Sequence, residues 1–338
     1  MAKIVVIGSA NMDTTHQLKG DFPETFTSES VNEIESTARV LGGKGFNQAR
    51  AIKLQNPEAE VAFIGCIGDD ESAAKVREEM ERVGLNHSGV RNLENHTTDG
   101  RVILVNNKGE NNMFGYGDCV KQLTPEMIDL DLLSEADIVA IQMKMPAETV
   151  KFVIEYCAEH GKQLVIDPTP QEKSGILVED MAELLKKATY LTPNEEEAFA
   201  LIGYMQGKEL SQIKEEFKNT PRNIRLKMIE SLVKKCPNII ATVGDKGVIF
   251  NEDGRIRKQK PYETQCIDST GAGDTFNGGL VGALARGAKL REAVKYAVMA
   301  SSMKVKHRGA QNGVPTGEQT KEAIEVYEQE HEVDIDEE

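Results

Sequence analysis

The chain has 338 residues, 39% of them hydrophobic and 28% charged, which suits a soluble globular protein able to bury a sizeable core. The balance of 40 basic against 55 acidic residues leaves a formal charge of −15, which argues against generic binding to nucleic acid or to an anionic membrane. No apolar run approaches the length of a membrane span. The five cysteines contain no C-x-x-C pair, so reduced thiols in a cytoplasm are expected rather than a zinc site or dithiol chemistry.

In chain order, the first expected element is a buried strand over Lys3–Gly8, followed by the polar "GSANMD" of 8–13. That start is not a signal peptide. Residues 14–41 are polar and lack helical periodicity. The glycine turn "GGKGFNQARA" (42–51) then opens a helix, and Val61–Ile67 reads as the next strand. An amphipathic helix over 71–84 follows. Residues 91–118 break the rhythm again, with a β-hairpin expected around Asn106–Gly109. Beyond it, strands are expected at Ile138–Gln142, Leu164–Asp167, Tyr190–Thr192, Ile239–Val243 and Gly247–Phe250. A helix over 147–161 ends at Gly161. Residues 207–236 read as surface helices, and "EQEHEVDIDEE" (328–338) as a solvated, frayed acidic tail.

Strand–helix alternation of this kind implies an α/β fold, with a central mostly parallel sheet and helices on both faces. Near-continuous apolar strands such as "NIIATV" agree. The two segments outside the βα rhythm, 14–41 and 91–118, are expected to form a small accessory sheet. The core would then comprise 1–13, 42–90 and 119–327.

Five stretches carry chemistry. In "DSTGAGDTFNGG" (268–279) a glycine turn opens a helix, where free amides and the helix dipole suit a transferring phosphoryl group. Asp274 behind that turn is placed to take a proton from an attacking hydroxyl, or else it simply caps the helix. "GGKG" offers Lys44 and Asn47 in a second glycine turn, without the Walker spacing, and "GSANMD" lacks the G-x-G-x-x-G of a dinucleotide fold. "TPNEEEA" (192–198) reads as a ligand cluster or as a capped helix start. "TVGDKG" (242–247) reads locally as a hairpin turn. The six histidines show no paired metal-ligand spacing, and Cys66 and Cys266 are expected to pack.

Together these stretches resemble the ribokinase (PfkB) family of sugar kinases, which also holds fructokinases and adenosine kinase. The resemblance runs from Gly8 to about Pro315, and "STGAGDTFNG" is close to diagnostic. It implies a three-layer core with a β-sheet lid over the sugar, and a homodimer in which two lids clasp. It also implies ATP, Mg2+ and K+ as cofactors. Asp274 would be the catalytic base and the amides of Gly271, Ala272 and Gly273 the anion hole. Asn11, Asp13, Gly43, Lys44 and Asn47 would contact the sugar. Asn194, Thr242, Gly244, Lys246, Gly247 and Gly273 would contact the nucleotide, with Glu197 near Mg2+. Asp268, Thr270, Lys304, His307, Gly309 and Gly313 would surround a monovalent cation, with Lys304, His307 and Gly309 offering backbone carbonyls.

The sequence departs from the family pattern at three places. Lys144 in "IQMKMP" stands where an acid usually contacts the sugar, so it either faces the pocket and shifts specificity away from plain ribose, or points to solvent. Ser28–Glu29–Ser30 replaces the usual G-E-T of the lid. Gly313 replaces a serine hydroxyl near the cation. A sugar acid, a hexose or a nucleoside stays open as substrate. So does a non-catalytic sugar-binding regulator, although that role needs neither Asp274 nor an anion hole.

Overall fold

The computed structural model describes residues 1–23, 32–169 and 185–331. Ser28–Glu29–Ser30 and residues 332–338 of the tail lie outside the described residues.

The central sheet has six strands. They are β1 (Lys3–Ile7), β4 (Glu60–Ile67), β5 (Val90–Asn92), β8 (Ile138–Gln142), β9 (Gln163–Asp167) and β10 (Tyr190–Leu191), in the order β10-β9-β8-β1-β4-β5. All the pairings are parallel. Strand β1 shows why the sequence folds so. Val5 and Ile7 point into one core with Ile64, Val139 and Ile166, while Ile4 and Val6 point into another with Phe46, Ile52 and Phe63. A strand apolar at every position is buried on both faces, so helices must cover both. Helix α1 (Lys44–Gln55) and α2 (Glu71–Arg82) lie on one side. Helix α4 (Ala147–Glu159) packs on the other, beyond the short α3 (Leu130–Glu135).

A second sheet, antiparallel, joins β11 (Ile240–Thr242), β12 (Val248–Glu252) and β13 (Arg255–Gln259). Parallel bridges Leu191↔Ile239 and Asn194↔Thr242 align it with the edge of the central sheet. The turn at 244–246 is therefore a hairpin connection, as its local sequence suggests. Strand β13, "RIRKQ", is not legible from sequence because it is a charged edge strand after the turn at Asp253–Gly254. Helices α5 (Glu195–Met205), α6 (Leu210–Asn219) and α7 (Arg222–Lys235) follow β10, and the segment 207–236 is helical as expected. Helices α8 (Ala272–Ala285), α9 (Leu290–Lys304) and α10 (Gly317–Glu330) close the fold. Residues 328–330, read as frayed tail, belong to α10, whose Thr316–Gln319 capping box starts it firmly.

The two stretches that break the βα rhythm share one four-stranded sheet, β3-β2-β6-β7. It is built from β2 (Asn11–Leu18), β3 (Ile34–Gly42), β6 (Gly100–Val105) and β7 (Asn111–Tyr116). The outer pairs are antiparallel and β2–β6 is parallel. Register places Asp13, Val40 and Arg101 on one face.

Candidate active site

Strands β1, β8, β9 and β10 all end at one edge of the sheet, where open α/β sheets leave a crevice. That edge gathers Asn11, Gln142, Lys144, Asp167 and Asn194, and the N-termini of α1 and α8 point into it. A cavity of about 160 Å³ there is lined by Lys44, Asp167, Asn194, Glu197, Thr242, Gly271, Gly273 and Asp274, among others. Five stretches far apart in sequence thus meet in one hollow.

Asp274 sits in the first turn of α8, behind Gly271 at φ 79°. A side chain at 271 would be strained at that φ, and its Cβ would lie 2.4 Å from the carbonyl oxygen of Ala310. Only glycine fits this turn. Asp274 Oδ2 accepts from Asn47 Nδ2 at 3.0 Å, and Oδ1 accepts from Gln48 Nε2 at 3.2 Å. Burial pushes its carboxyl up to about 6, with the neighbouring Asp167 adding to the rise and Lys44 opposing it. The group is thus a carboxylate at neutral pH, yet basic enough to take a proton.

One detail of the anion hole differs from the expectation. The Ala272 N–H donates to Ser269 O at 3.0 Å, inside the turn itself. Among the described residues, the amides of Gly271, Gly273 and Asp274 have no such backbone acceptor. The free donors beside the cavity are therefore the amides of Gly271, Gly273 and Asp274, and Ala272 is not one of them.

Lys44, expected to contact the sugar, is tied to Asp167, Thr169 and Glu197. Its Nζ donates to Asp167 Oδ1 at 2.8 Å, Thr169 Oγ1 at 2.9 Å and Glu197 Oε1 at 3.0 Å. Burial disfavours this ammonium, but Asp167 and Glu197 outweigh it and hold its pKa above the ordinary lysine value. Glu197 is pushed up by burial and by Asp167. The stretch 192–198 satisfies both of its readings. Asn194 Oδ1 accepts from Glu197 N and Glu197 Oε2 accepts from Asn194 N, each at 2.9 Å, a capping box, while Oε1 of Glu197 still reaches the cavity.

On the other side of Asp274 lie Asn11, Asp13 and Lys144. Arg101 Nη1 donates to Asp13 Oδ2 at 3.4 Å. Burial raises the Asp13 carboxyl, with Arg101 and Lys144 opposing. Lys144 is lowered by burial and by the positive charges of Arg101 and Lys44. It therefore stands inside this cluster, and among the described residues no hydrogen-bond acceptor is paired with its ammonium. Three buried acceptor oxygens here have no partner: Asn11 Oδ1, Asp13 Oδ1 and Gln142 Oε1.

Other expected residues lie apart. Gly244, Lys246 and Gly247 form the turn beside Thr242 but do not line the cavity, and the Lys246 side chain is 59% exposed beside Asp245. Gly43 caps α1. Asp268, Thr270, Lys304, His307, Gly309 and Gly313 cluster behind the glycine turn, not in the cavity. Cys66 is buried as expected, but Cys266 is exposed and does not pack.

Sequence reading missed Gln48, Arg101, Asp167 and Thr169. Gln48 had a signal, since positions 44, 47 and 48 share one helix face. Its amide bridges Asp167 Oδ2 at 2.9 Å and Asp274, and its Oε1 accepts from Gln142 at 2.7 Å. Asp167 also had one, as an acid ending a buried strand. Arg101 had none, because only the sheet register sets it beside Asp13.

A buried carboxylate under free helix amides, beside a cavity of about 160 Å³ and three unpartnered buried acceptor oxygens, suits a phosphotransferase acting on an alcohol. Residues 1–317 match the pfkB family carbohydrate kinase, and the chain belongs to that family. It is 29% identical over 331 residues to the ribokinase of Lactococcus lactis, covering 93% of this chain and 94% of that one. It is 31% identical over 323 residues to a bifunctional ribokinase/ribose-5-phosphate isomerase A of Fructilactobacillus sanfranciscensis, spanning 94% of this chain and 55% of that larger protein. Among solved structures, ribokinase of Thermotoga maritima superposes with a TM-score of 0.79 at 27% identity, covering 96% of this chain and all of that one. The protein is a sugar kinase.

Proposed function

We propose that the protein transfers the γ-phosphoryl group of ATP to a hydroxyl of a pentose of the ribose type. The observation that carries the acceptor is the set of unpartnered buried oxygens on Asn11, Asp13 and Gln142. A buried acceptor without a donor costs about 1–3 kcal/mol, and the hydroxyls of a sugar are donors. Asp274 takes the proton of the attacking hydroxyl. The amides of Gly273 and Asp274, at the positive end of α8, face the charge that develops on the phosphoryl oxygens. Asn47 and Gln48 hold the Asp274 carboxylate in place. Mg2+ fits the hard oxygens of Asp167 and Glu197, and it would neutralise charge on the nucleotide phosphates. Among the described residues no group of three or more His, Cys, Asp or Glu could hold a metal, so this ion would keep most of its other ligands from phosphate and water. The test is an ADP-release screen with Mg2+ and ATP across pentoses, hexoses, sugar acids and nucleosides. A pentose as the best acceptor is expected; a nucleoside or hexose preferred over every pentose overturns the assignment.

A second reading rests on one observation. The Lys144 ammonium, which feels Arg101 and Lys44 as well as the carboxylates of Asp13, Asp167 and Asp274, has no hydrogen-bond acceptor among the described residues. Such a cation suits a pentose derivative carrying a carboxylate or phosphate. The same screen separates it from a neutral sugar.

The four-stranded sheet is proposed as the lid and as the contact between two copies. Phe114 and Tyr116 are large apolar residues exposed on the face opposite Asp13 and Arg101, while Val40 and Met113 are exposed on the same face as that pair, and apolar residues exposed on a small sheet suit an interface. Light scattering of the native chain and of Phe114→Asp tests this, with dimer and monomer expected. No helix among the described residues is long and apolar enough to cross a membrane. The free cysteines fit a reducing cytoplasm.

A further inference from the structure

Behind the glycine turn lies the loop 304–313, where the family resemblance places K+. Several of the oxygens around it already accept hydrogen bonds from the chain itself. The carboxylate of Asp268 accepts from Thr270 N at 2.9 Å and from Gly309 N at 2.7 Å. Lys304, the last residue of α9, is fully buried at 0% exposure. Its Nζ donates to the backbone oxygen of Asp268 at 3.2 Å and to that of His307 at 3.3 Å. The place of the family's serine hydroxyl is closed as well. A Cβ on Gly313 would lie 2.1 Å from Cδ2 of His307. So the loop contributes a buried ammonium where only the Lys304 carbonyl was expected to serve.

We propose that the Lys304 ammonium is a built-in monovalent cation, taking the role that K+ would have behind the anion hole, so that catalysis does not require K+. The physical case rests on charge and ligand type. Backbone carbonyl oxygens are the ligands that K+ sites use, and here they bond to a side chain of the same charge. A buried ammonium needs such acceptors, because an unpaired charge away from water is costly. Being tethered, it loses no translational freedom on occupying its place, unlike a free ion. Asp268, one covalent link from Ser269, supplies the negative charge that balances it. The cation also sits where it can act on catalysis. Ala310, in the same loop, is the residue against which Gly271 packs, and Gly271 opens the helix bearing Gly273 and Asp274. Lys304 is thus a positioning residue: it orders the loop, and the loop orders the turn.

The inference rests on the kinase reading for its meaning in catalysis, but its test has an arm that needs no activity. The full chain is assayed with its best acceptor in KCl and in tetramethylammonium chloride at equal ionic strength. Equal rates are expected, and a several-fold rise in K+ overturns the proposal. Lys304→Ala is then expected to lose about tenfold or more in tetramethylammonium, a usual size for coupling between sites, and to regain rate in K+. In parallel, Tm is measured against KCl without substrates. A cation that binds only the folded state raises Tm, so the variant should rise with K+ and the native chain should not. Should the variant refold only in KCl, that too supports the proposal. A variant as active and stable as the native chain without K+, or one impaired and indifferent to K+ in both rate and Tm, shows an ordinary helix-end lysine and overturns it. Failure to fold in either salt does the same.

Discussion

The front and the back of one glycine turn each hold a lysine, half-buried in front and fully buried behind, and the two are held differently. Lys44, in front, is held by the carboxylates of Asp167 and Glu197 and keeps 28% of its side chain exposed to the cleft. Lys304, behind, is held by two carbonyl oxygens and is sealed from water. Carboxylates can pass from a lysine to a metal ion or to a phosphate-bound cation, so the front pair is exchangeable. Carbonyls around a sealed ammonium have nothing to exchange with. On the proposed reading the front of the turn changes partners during turnover, and the back stays. Lys144 is a third case, a lysine near Asp13 and Arg101 with no hydrogen-bond acceptor among the described residues.

The strongest way to break this division is at Asp274. Asp274→Asn keeps the shape but cannot take a proton, and loss of a positioned base should cost about 10²–10⁴-fold in kcat. Nucleotide and sugar affinity should move far less. Near-native kcat in a folded variant would show that the front of the turn holds no base.

The pH profile sharpens the same point. The Asp274 carboxyl is pushed up to about 6 by burial. The base works only when unprotonated, so kcat/KM should fall about tenfold per pH unit below that value and be flat above it. The stability sign is opposite. The folded pKa lies above the ordinary 3.8, so the folded state binds the proton more tightly, and this group's contribution to stability declines as pH rises from 3.8 towards 6. A stability that climbs through that window, native minus Asp274→Asn, would mean the carboxyl is not buried as described.

Next in size is Lys144→Glu. It restores an acceptor and removes one of two cations on the acceptor side. An unmade polar contact in a closed site is worth about 1–3 kcal/mol, or one to two decades in kcat/KM. Use of neutral ribose should improve by that order relative to any anionic pentose. An unchanged preference would place the ammonium outside the acceptor's reach.

The front of the turn was more legible in the sequence than the back. Asp274, Lys44, Asn47 and Glu197 announce themselves because glycine turns and strand ends must precede them. The strands of the central sheet were legible because burial on both faces leaves them apolar throughout. What sequence could not give was the partner of a side chain. Arg101 meets Asp13 only through the pairing of β2 with β6. Gln48 shares a helix face with Lys44 and Asn47, but only the packing of α1 against the end of β9 brings it to Asp167. At the back, sequence gave the residues of the loop but not their roles. Lys304 is offered by sequence as one more carbonyl, because the direction of a long flexible side chain is decided by packing. The charged strand β13 and the helical residues 328–330 escaped for a related reason: polar composition reads as loop or tail, while pairing to β12 and the capping box at Thr316 override it.

The smallest effect is expected at Gly313, and it decides how the back of the turn should be read. If the loop merely lacks a cation ligand, Gly313→Ser supplies the missing hydroxyl and K+ activation appears. The geometry argues otherwise. Gly313 has φ 74°, where a residue with a Cβ is strained, and that Cβ would meet the ring of His307 at 2.1 Å. His307 is exposed and its ring can swing into solvent, but its Cβ would still lie 2.5 Å away and must shift with the backbone, which adds to a backbone strain of about 1–3 kcal/mol. The new hydroxyl would find the carbonyls of Asp268 and His307 still bonded to Lys304. Gly313→Ser should therefore lower Tm slightly, leave kcat near native, and gain no response to K+. Gly313→Ala carries the same strain without the hydroxyl and should behave alike in denaturant unfolding and in both salts. A difference between the two variants that appears only in K+ would mean that the hydroxyl reaches a bound ion, and that Lys304 leaves room for one.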